Sequence, residues 1–189
     1  MKKINNFAPH KASANSFAPL PVAPYVCKIM KCEEQSNQYG SQLVISFDIC
    51  EGEYANYYSE KYKNSTFADK KWGGVLYLSV PSDKSRYPES DQKNIENLIA
   101  CVEEENPKFS WDWDETKLKG CVVGINYCNK EWEYNGQTGW SASPRFICSA
   151  QDVRDGKVKQ AKDRPLTNKT TAQTNSYSVA NDDYDDLPF

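Results

Sequence analysis

The sequence predicts a mainly β protein: five strands and one helix forming a small barrel, with a tail at each end. Three observations carry this expectation. Five stretches of apolar or alternating residues are bounded by turn residues. One helical stripe falls between the third and fourth of them. Composition turns polar outside residues 22–166, with Asn, Ser, Thr and Pro replacing the periodic apolar pattern.

The first strand is VAPYVCKIMKCEEQ (22–35), where Val26, Lys28, Met30 and Cys32 alternate against Cys27, Ile29 and Lys31. NQYG turns the chain into QLVISFDICEG (42–52). There Leu43, Ile45, Phe47 and Ile49 share one face, with Ser46 and Asp48 on the other, so the two strands read as a hairpin. In YANYYSEKY, Tyr54, Tyr57, Tyr58 and Tyr62 fall at helical spacing and read as an extra helical turn, packed rather than binding, in the connection between the second and third strands. The third strand, WGGVLYLSVP (72–81), stops at Pro81. SDQKNIENLIACVEEENP (90–107) is the helix, with Ser90 or Asp91 as cap, a buried stripe of Ile95, Leu98, Ile99 and Val102, and Pro107 as stop. LKGCVVGINYCNKEWEY (118–134), the turn NGQTG and WSASPRFICSA (140–150) make a last hairpin. Strand, strand, strand, helix, strand, strand is the order of the five-stranded Greek-key barrel called the OB-fold. A flat α+β sheet would give the same string.

Four segments follow: an arm at 1–21 with FAP twice, at Phe7–Pro9 and Phe17–Pro19; the barrel at 22–166; a linker at 167–181; and an acidic tip at 182–189. The arm, linker and tip are expected to be flexible. The net charge of -3 conceals a partition. Removing Lys169 from the 23 basic residues, and Asp182, Asp183, Asp185 and Asp186 from the 26 acidic ones, leaves 22 of each in residues 1–166. A neutral body argues against a protein that coats duplex DNA through bulk charge. No apolar run approaches the roughly 18 residues a membrane helix needs, and the N-terminus lacks the apolar region of a signal peptide. A cytoplasmic location, with no membrane partner, is therefore expected.

The 7 cysteines include no Cys-x-x-Cys pair, and the single His, His10, lies in the arm. That excludes a familiar zinc spacing and a Cys–His or Ser–His couple in the body. The thiols read as small buried hydrophobes, and no cofactor or metal is expected. WGGVLYL lacks the spacing and lysine of a phosphate-binding loop. WDWDE brings together Asp112, Asp114 and Glu115, which could hold Mg²⁺ or act as acid and base. The simpler reading has Trp111 and Trp113 packing inward and the acids facing water. No enzyme activity is expected, with a Mg²⁺-dependent nuclease as the remote alternative.

Aromatic residues make up 13% of the chain: 12 Tyr, 7 Phe and 5 Trp. Rings that stack on bases, each contributing roughly 1–3 kcal/mol, together with cations that track phosphates, bind single strands with little sequence preference. Two groups fit that chemistry. Lys130, Trp132, Tyr134 and Trp140 surround the last hairpin, with Arg145 further along its second strand. Lys70, Lys71, Trp72 and Tyr77 lie before and within the third strand. The competing reading is ordinary cross-strand packing.

The chain ends DDYDDLPF. This resembles the tip of bacterial single-stranded DNA-binding proteins, an acidic run followed by Ile or Leu, Pro and Phe. Asp185, Asp186, Leu187, Pro188 and Phe189 match it position by position, and Tyr184 departs from it by interrupting the acids. The resemblance implies an OB-fold, a polar linker and a tip that docks on replication or recombination proteins such as a helicase, primase, nuclease or recombinase. The Phe ring would enter an apolar pocket and the carboxylate would meet a basic side chain. The body is more similar to phage-encoded single-stranded DNA-binding proteins, in segments such as WDWDETKLKG and NGQTGW. Its arm and its region between the second and third strands depart from the bacterial pattern. Oligomeric state stays open. The rival reading is an adaptor that captures partners by the tip without binding DNA.

Overall fold

The computed structural model describes residues 18–38 and 40–167. Residues 1–17 of the expected arm, all but Thr167 of the linker, and the whole tip lie outside the described residues. The elements are β1 (Tyr25–Asn37), β2 (Gly40–Ile49), α1 (Tyr57–Asn64), β3 (Val75–Ser79), α2 (Pro88–Glu105), a 3-10 turn (Glu115–Leu118), β4 (Val122–Tyr134), β5 (Gln137–Cys148) and α3 (Ala150–Arg154). The protein is mainly β, as its sequence predicts. The strands form one antiparallel sheet in the order β3-β2-β1-β4-β5, with β3 and β5 at its edges.

The helices require a correction. The one expected between the third and fourth strands is α2, and the Tyr-rich helical turn expected between the second and third is α1, a helix of two turns, but α3 after β5 is an addition, making three among the described residues. α2 also starts earlier than expected. Its N-cap is Tyr87 and Pro88 opens it, so Ser90 and Asp91 sit inside the first turn. Proline suits that place because its fixed φ is already helical and the amide hydrogen it lacks would have had no partner. The folded part likewise begins before residue 22, since Leu20 is buried in the core.

β1 shows why simple alternation fails. Cys27 and Ile29 face the core, then a register shift between Ile29 and Lys31 inserts Met30 as an extra residue. Met30 stays exposed, and Cys32 returns to the core face. The shift coincides with the end of pairing to β4, which runs only from Tyr25↔Ile125 to Lys28↔Val122. Ile29 makes the last contacts, donating to the Cys121 carbonyl at 2.9 Å and accepting from the Gly120 amide at 2.8 Å. Beyond it the 3-10 turn packs against β1, and Glu115 Oε1 accepts from the Glu34 amide at 3.4 Å.

The sheet buries Phe47, Ile29, Ile45, Ile49, Ile125 and Tyr127 completely, and α2 adds Leu98 and Val102 to the same core. Asn106 ends α2 and starts β4 at once. Its Nδ2 donates to the Val102 carbonyl at 2.7 Å and the Val122 carbonyl at 2.9 Å, while its Oδ1 accepts from the Val122 amide at 3.0 Å.

Asp48 lies on the face of β2 away from the core, yet it is buried because α1 covers it. The N-cap residue of α1, Asn56, has φ 63 and makes no side-chain cap bond. Asp48 supplies the missing acceptors from the sheet. Its Oδ1 accepts from the Ile49 and Tyr58 amides at 2.9 Å, and its Oδ2 from the Ser59 amide at 3.0 Å. So held, α1 lays Tyr58 edge-on to Phe47 and brings its hydroxyl to 2.8 Å from that of Tyr127. Burial raises both phenols above the usual tyrosine range. Gly74 makes room for this ring: a Cβ there would lie 2.3 Å from the Phe47 carbonyl oxygen and 2.7 Å from Tyr58.

At the other end, Arg154 of α3 grips two carboxylates from distant parts of the chain. It donates to Glu51 at 2.7 and 3.0 Å and to Glu105 at 2.6 and 3.0 Å. These bonds lower the Glu51 pKa and raise that of Arg154. All 7 cysteines are free thiols. Burial pushes Cys101 up to about 11 and Cys32 and Cys148 up to about 12, so these thiols remain protonated and weakly nucleophilic. Among the described residues no helix is long and apolar enough to cross a membrane.

Asp48→Ala strips the acceptors from two buried helix amides and is expected to cost about 1–3 kcal/mol of stability. Asp48→Asn, which retains an acceptor oxygen, loses less. Urea unfolding checks this, and an Asp48→Ala midpoint equal to wild type contradicts the capping role.

Candidate nucleic-acid interface

β4 and β5 pair as far as Tyr134↔Gln137, so the connecting turn is only Asn135-Gly136, shorter than the five-residue turn expected. Both turn residues have positive φ, 50 for Asn135 and 73 for Gly136, the conformation that lets a two-residue turn follow the strand twist. Because β4 continues far past the end of its pairing with β1, this hairpin overhangs the body.

The register assigns each aromatic to a face. Ile125 and Tyr127 face the core, so alternation turns Lys130, Trp132 and Tyr134 the other way. Tyr77 of β3 stands on that same outer face, opposite Val44, while its neighbours Leu76 and Leu78 point inward. Trp132 pairs with Gly139 and lays its indole across it; a Cβ at Gly139 would come within 2.6 Å of the ring. The glycine thus gives Trp132 a seat while leaving it 40% exposed, with Tyr134 at 72% and Tyr77 at 58%.

Trp140 does not join them. It pairs with Glu131, on the opposite face of the hairpin, and is 50% exposed there. Glu131 is buried and accepts the Leu166 amide at 3.0 Å, and Glu133 follows on the same face. Arg145 is the extra residue at a register shift between Asn126 and Tyr127, half-buried, with its guanidinium 4.7 Å from the Phe146 ring centre. The hairpin group expected from the sequence is therefore divided between two faces. Recognising Asn-Gly as a complete two-residue turn would have shown this, because it pairs residue 134 with 137 and so 131 with 140.

The second group is divided too. Trp72 is half-buried, and its indole N–H is shared between the Phe47 and Gly74 carbonyls, each at 3.1 Å. Its ring leans on Tyr58 and Tyr62, and Lys70 Nζ lies 4.8 Å from the Tyr62 ring centre. Trp72 packs, and the exposed members of this group are Tyr77, Lys70 and Lys71.

WDWDE is a structural knot. Asp112 pairs with Lys117. Asp114 caps the 3-10 turn, accepting the Thr116 amide at 3.1 Å and the Thr116 hydroxyl at 2.5 Å. Trp111 packs on the core as expected, but Trp113 is 85% exposed at φ 68. The sequence predicts it packed inward, and the structure corrects this. A left-handed residue between two aspartates points its side chain out, and a sequence pattern carries no sign of φ. Among the described residues no group of three or more His, Cys, Asp or Glu could hold a metal.

β4 past Cys128 has no β1 beside it, and the chain after α3 takes that place. Asn126 Nδ2 donates to the Lys159 carbonyl at 2.8 Å. The Asn129 amide and side chain donate to Asp163 at 3.2 and 2.8 Å. Arg164 forms a parallel bridge with Lys130, bonding Asn129 and Glu131 at 2.8 and 2.9 Å. The described chain thus ends at Thr167, close to the hairpin that carries Trp132.

A scan against protein-family models finds no match for this chain, and a search of curated proteins finds none either.

Proposed function

We propose that the protein binds single-stranded DNA on the outer face of its sheet, using Tyr77, Trp132 and Tyr134 as stacking rings and Lys130 as a phosphate contact. The observation that carries this reading is the set of three large rings exposed on one face. None of the three belongs to the core, and Lys130 stands beside two of them. Stacking tolerates any base, and each ring contributes roughly 1–3 kcal/mol, so a body without excess positive charge is sufficient.

An OB-fold is the architecture we assign. Every neighbouring pair in the order β3-β2-β1-β4-β5 is antiparallel, so the two edge strands β3 and β5 run in the same direction. They also lie near each other, and α2 connects β3 to β4. These features support a barrel that closes between β3 and β5. In such a barrel the face of β2 and β3 and the β4–β5 hairpin flank the binding groove, where Tyr77 and Trp132 stand. Trp140, on the opposite face of the hairpin, is outside it, and Trp72 serves packing.

The tip completes the proposal. The resemblance of Asp185, Asp186, Leu187, Pro188 and Phe189 to the acidic tip of single-stranded DNA-binding proteins supports recruitment of replication or recombination enzymes by that segment. A nuclease built on Asp112, Asp114 and Glu115 finds no support, because Lys117 and Thr116 already engage the two aspartates.

Titration with a (dT) oligonucleotide is expected to quench tryptophan fluorescence, less so as salt rises. Trp132→Ala is expected to lose about 1–3 kcal/mol of affinity and Trp140→Ala almost none. Absence of binding in both fluorescence and anisotropy assays overturns the proposal and favours the adaptor. Deleting Phe189 is expected to abolish capture of partner enzymes while leaving strand affinity intact or higher; undiminished capture refutes the role of the tip.

A further inference from the structure

A cleft of about 600 Å³ opens where the β1–β2 turn, the end of β3 and the chain leading into α2 come together. That volume is within the range of small-molecule sites, roughly 300–1,000 Å³. Its lining is polar and carries two cations, Lys84 and Arg86, with Asp91 as the opposing charge. Neither cation belongs to an ion pair among the described residues, whereas Lys31, Lys117, Arg154 and Lys157 all do. Arg86 only rests over the Tyr87 ring, 5.2 Å from its centre. Gln38 and Gln42 line the same cleft.

The position matters as much as the composition. Ser79 lines the cleft and lies two residues beyond Tyr77 on β3, on the same outer face. A strand stacked on Tyr77 and running along β3 reaches the cleft within one further side-chain step, about 7 Å. There a guanidinium and an ammonium can meet a phosphate, and side-chain amides can meet the edge of a base.

We infer that this cleft takes one phosphate-bearing nucleotide unit of the bound strand, with Lys84 and Arg86 on the phosphate and Gln38 and Gln42 on the base. The inference rests on the strand-binding reading and extends it to residues the sequence analysis did not select.

Salt dependence tests it. Binding of a (dT) oligonucleotide to the full chain is measured by anisotropy over a range of salt concentrations. Wild type is compared with Lys84→Gln/Arg86→Gln, after matching their circular dichroism and thermal midpoints. Each phosphate neutralised on a single strand contributes about 0.7 to the slope of log K against log salt, so the double variant, which loses this one phosphate contact, is expected to bind with a slope shallower by about 0.7. Lys108→Gln/Lys119→Gln removes the same charge beyond the other end of α2 and is expected to keep the wild-type slope. An unchanged slope in the cleft variant, with Trp132→Ala still weakening binding, overturns the cleft alone. An equal loss of slope in both double variants assigns the effect to net charge and also overturns it. A wild-type protein that binds no strand overturns both readings.

Discussion

The structure depends on how short the pairing of β1 with β4 is. β1 is paired with β2 from Cys27 to Asn37 but with β4 through only four residue pairs. The extra residue Met30 bends β1 away just where the Ile29 backbone makes its last bonds to residues 120 and 121. β1 past Ile29 and β4 past Ile125, at opposite ends of this short pairing, are left with unpaired edges, and the chain covers both. The 3-10 turn at 115–118 packs against β1, and residues 159–166 lie along β4. Open edges invite pairing with other chains, and covering them is one remedy. The overhanging β4–β5 hairpin arises at the opposite end of that pairing, because β4 runs on past Ile125, whose partner Tyr25 is the first residue of β1.

Buried polar groups are placed where backbone would otherwise lack partners. Asp48 caps a helix from a neighbouring strand, Asn106 joins a helix end to a strand start, and Glu131 receives the amide of Leu166. Each bridges residues distant in sequence, so each fixes relative placement as well as satisfying a bond. The exposed pair Lys31–Glu33, at 2.5 Å, contributes little by comparison, since surface pairs are screened by water and salt. Arg154 differs, because its planar fork holds two carboxylates at once.

Much of this was legible in the sequence. The apolar stripes gave the five strands and α2, and Leu43, Ile45, Phe47 and Ile49 do face the core. What escaped reading was of one kind. A single extra residue at Met30 reverses inside and outside, and a two-residue turn sets which face Trp140 takes. The cap from Asp48 joins residues 10 positions apart or more, so no local pattern betrays it. Trp72 resembled a binding ring because aromatic composition does not tell a ring on Gly74 and Phe47 carbonyls from one facing water. Lys84 and Arg86 were passed over because the cleft they line exists only once β1, β2, β3 and α2 meet.

The central claim is that one face of the sheet carries the strand. Ultraviolet cross-linking of a (dT) oligonucleotide to the full chain, followed by mass spectrometry of the adducts, tests it most directly. The account predicts adducts at Tyr77, Trp132 and Tyr134. Adducts concentrated at Trp140, or at Trp113 beside the acidic 3-10 turn, would contradict it.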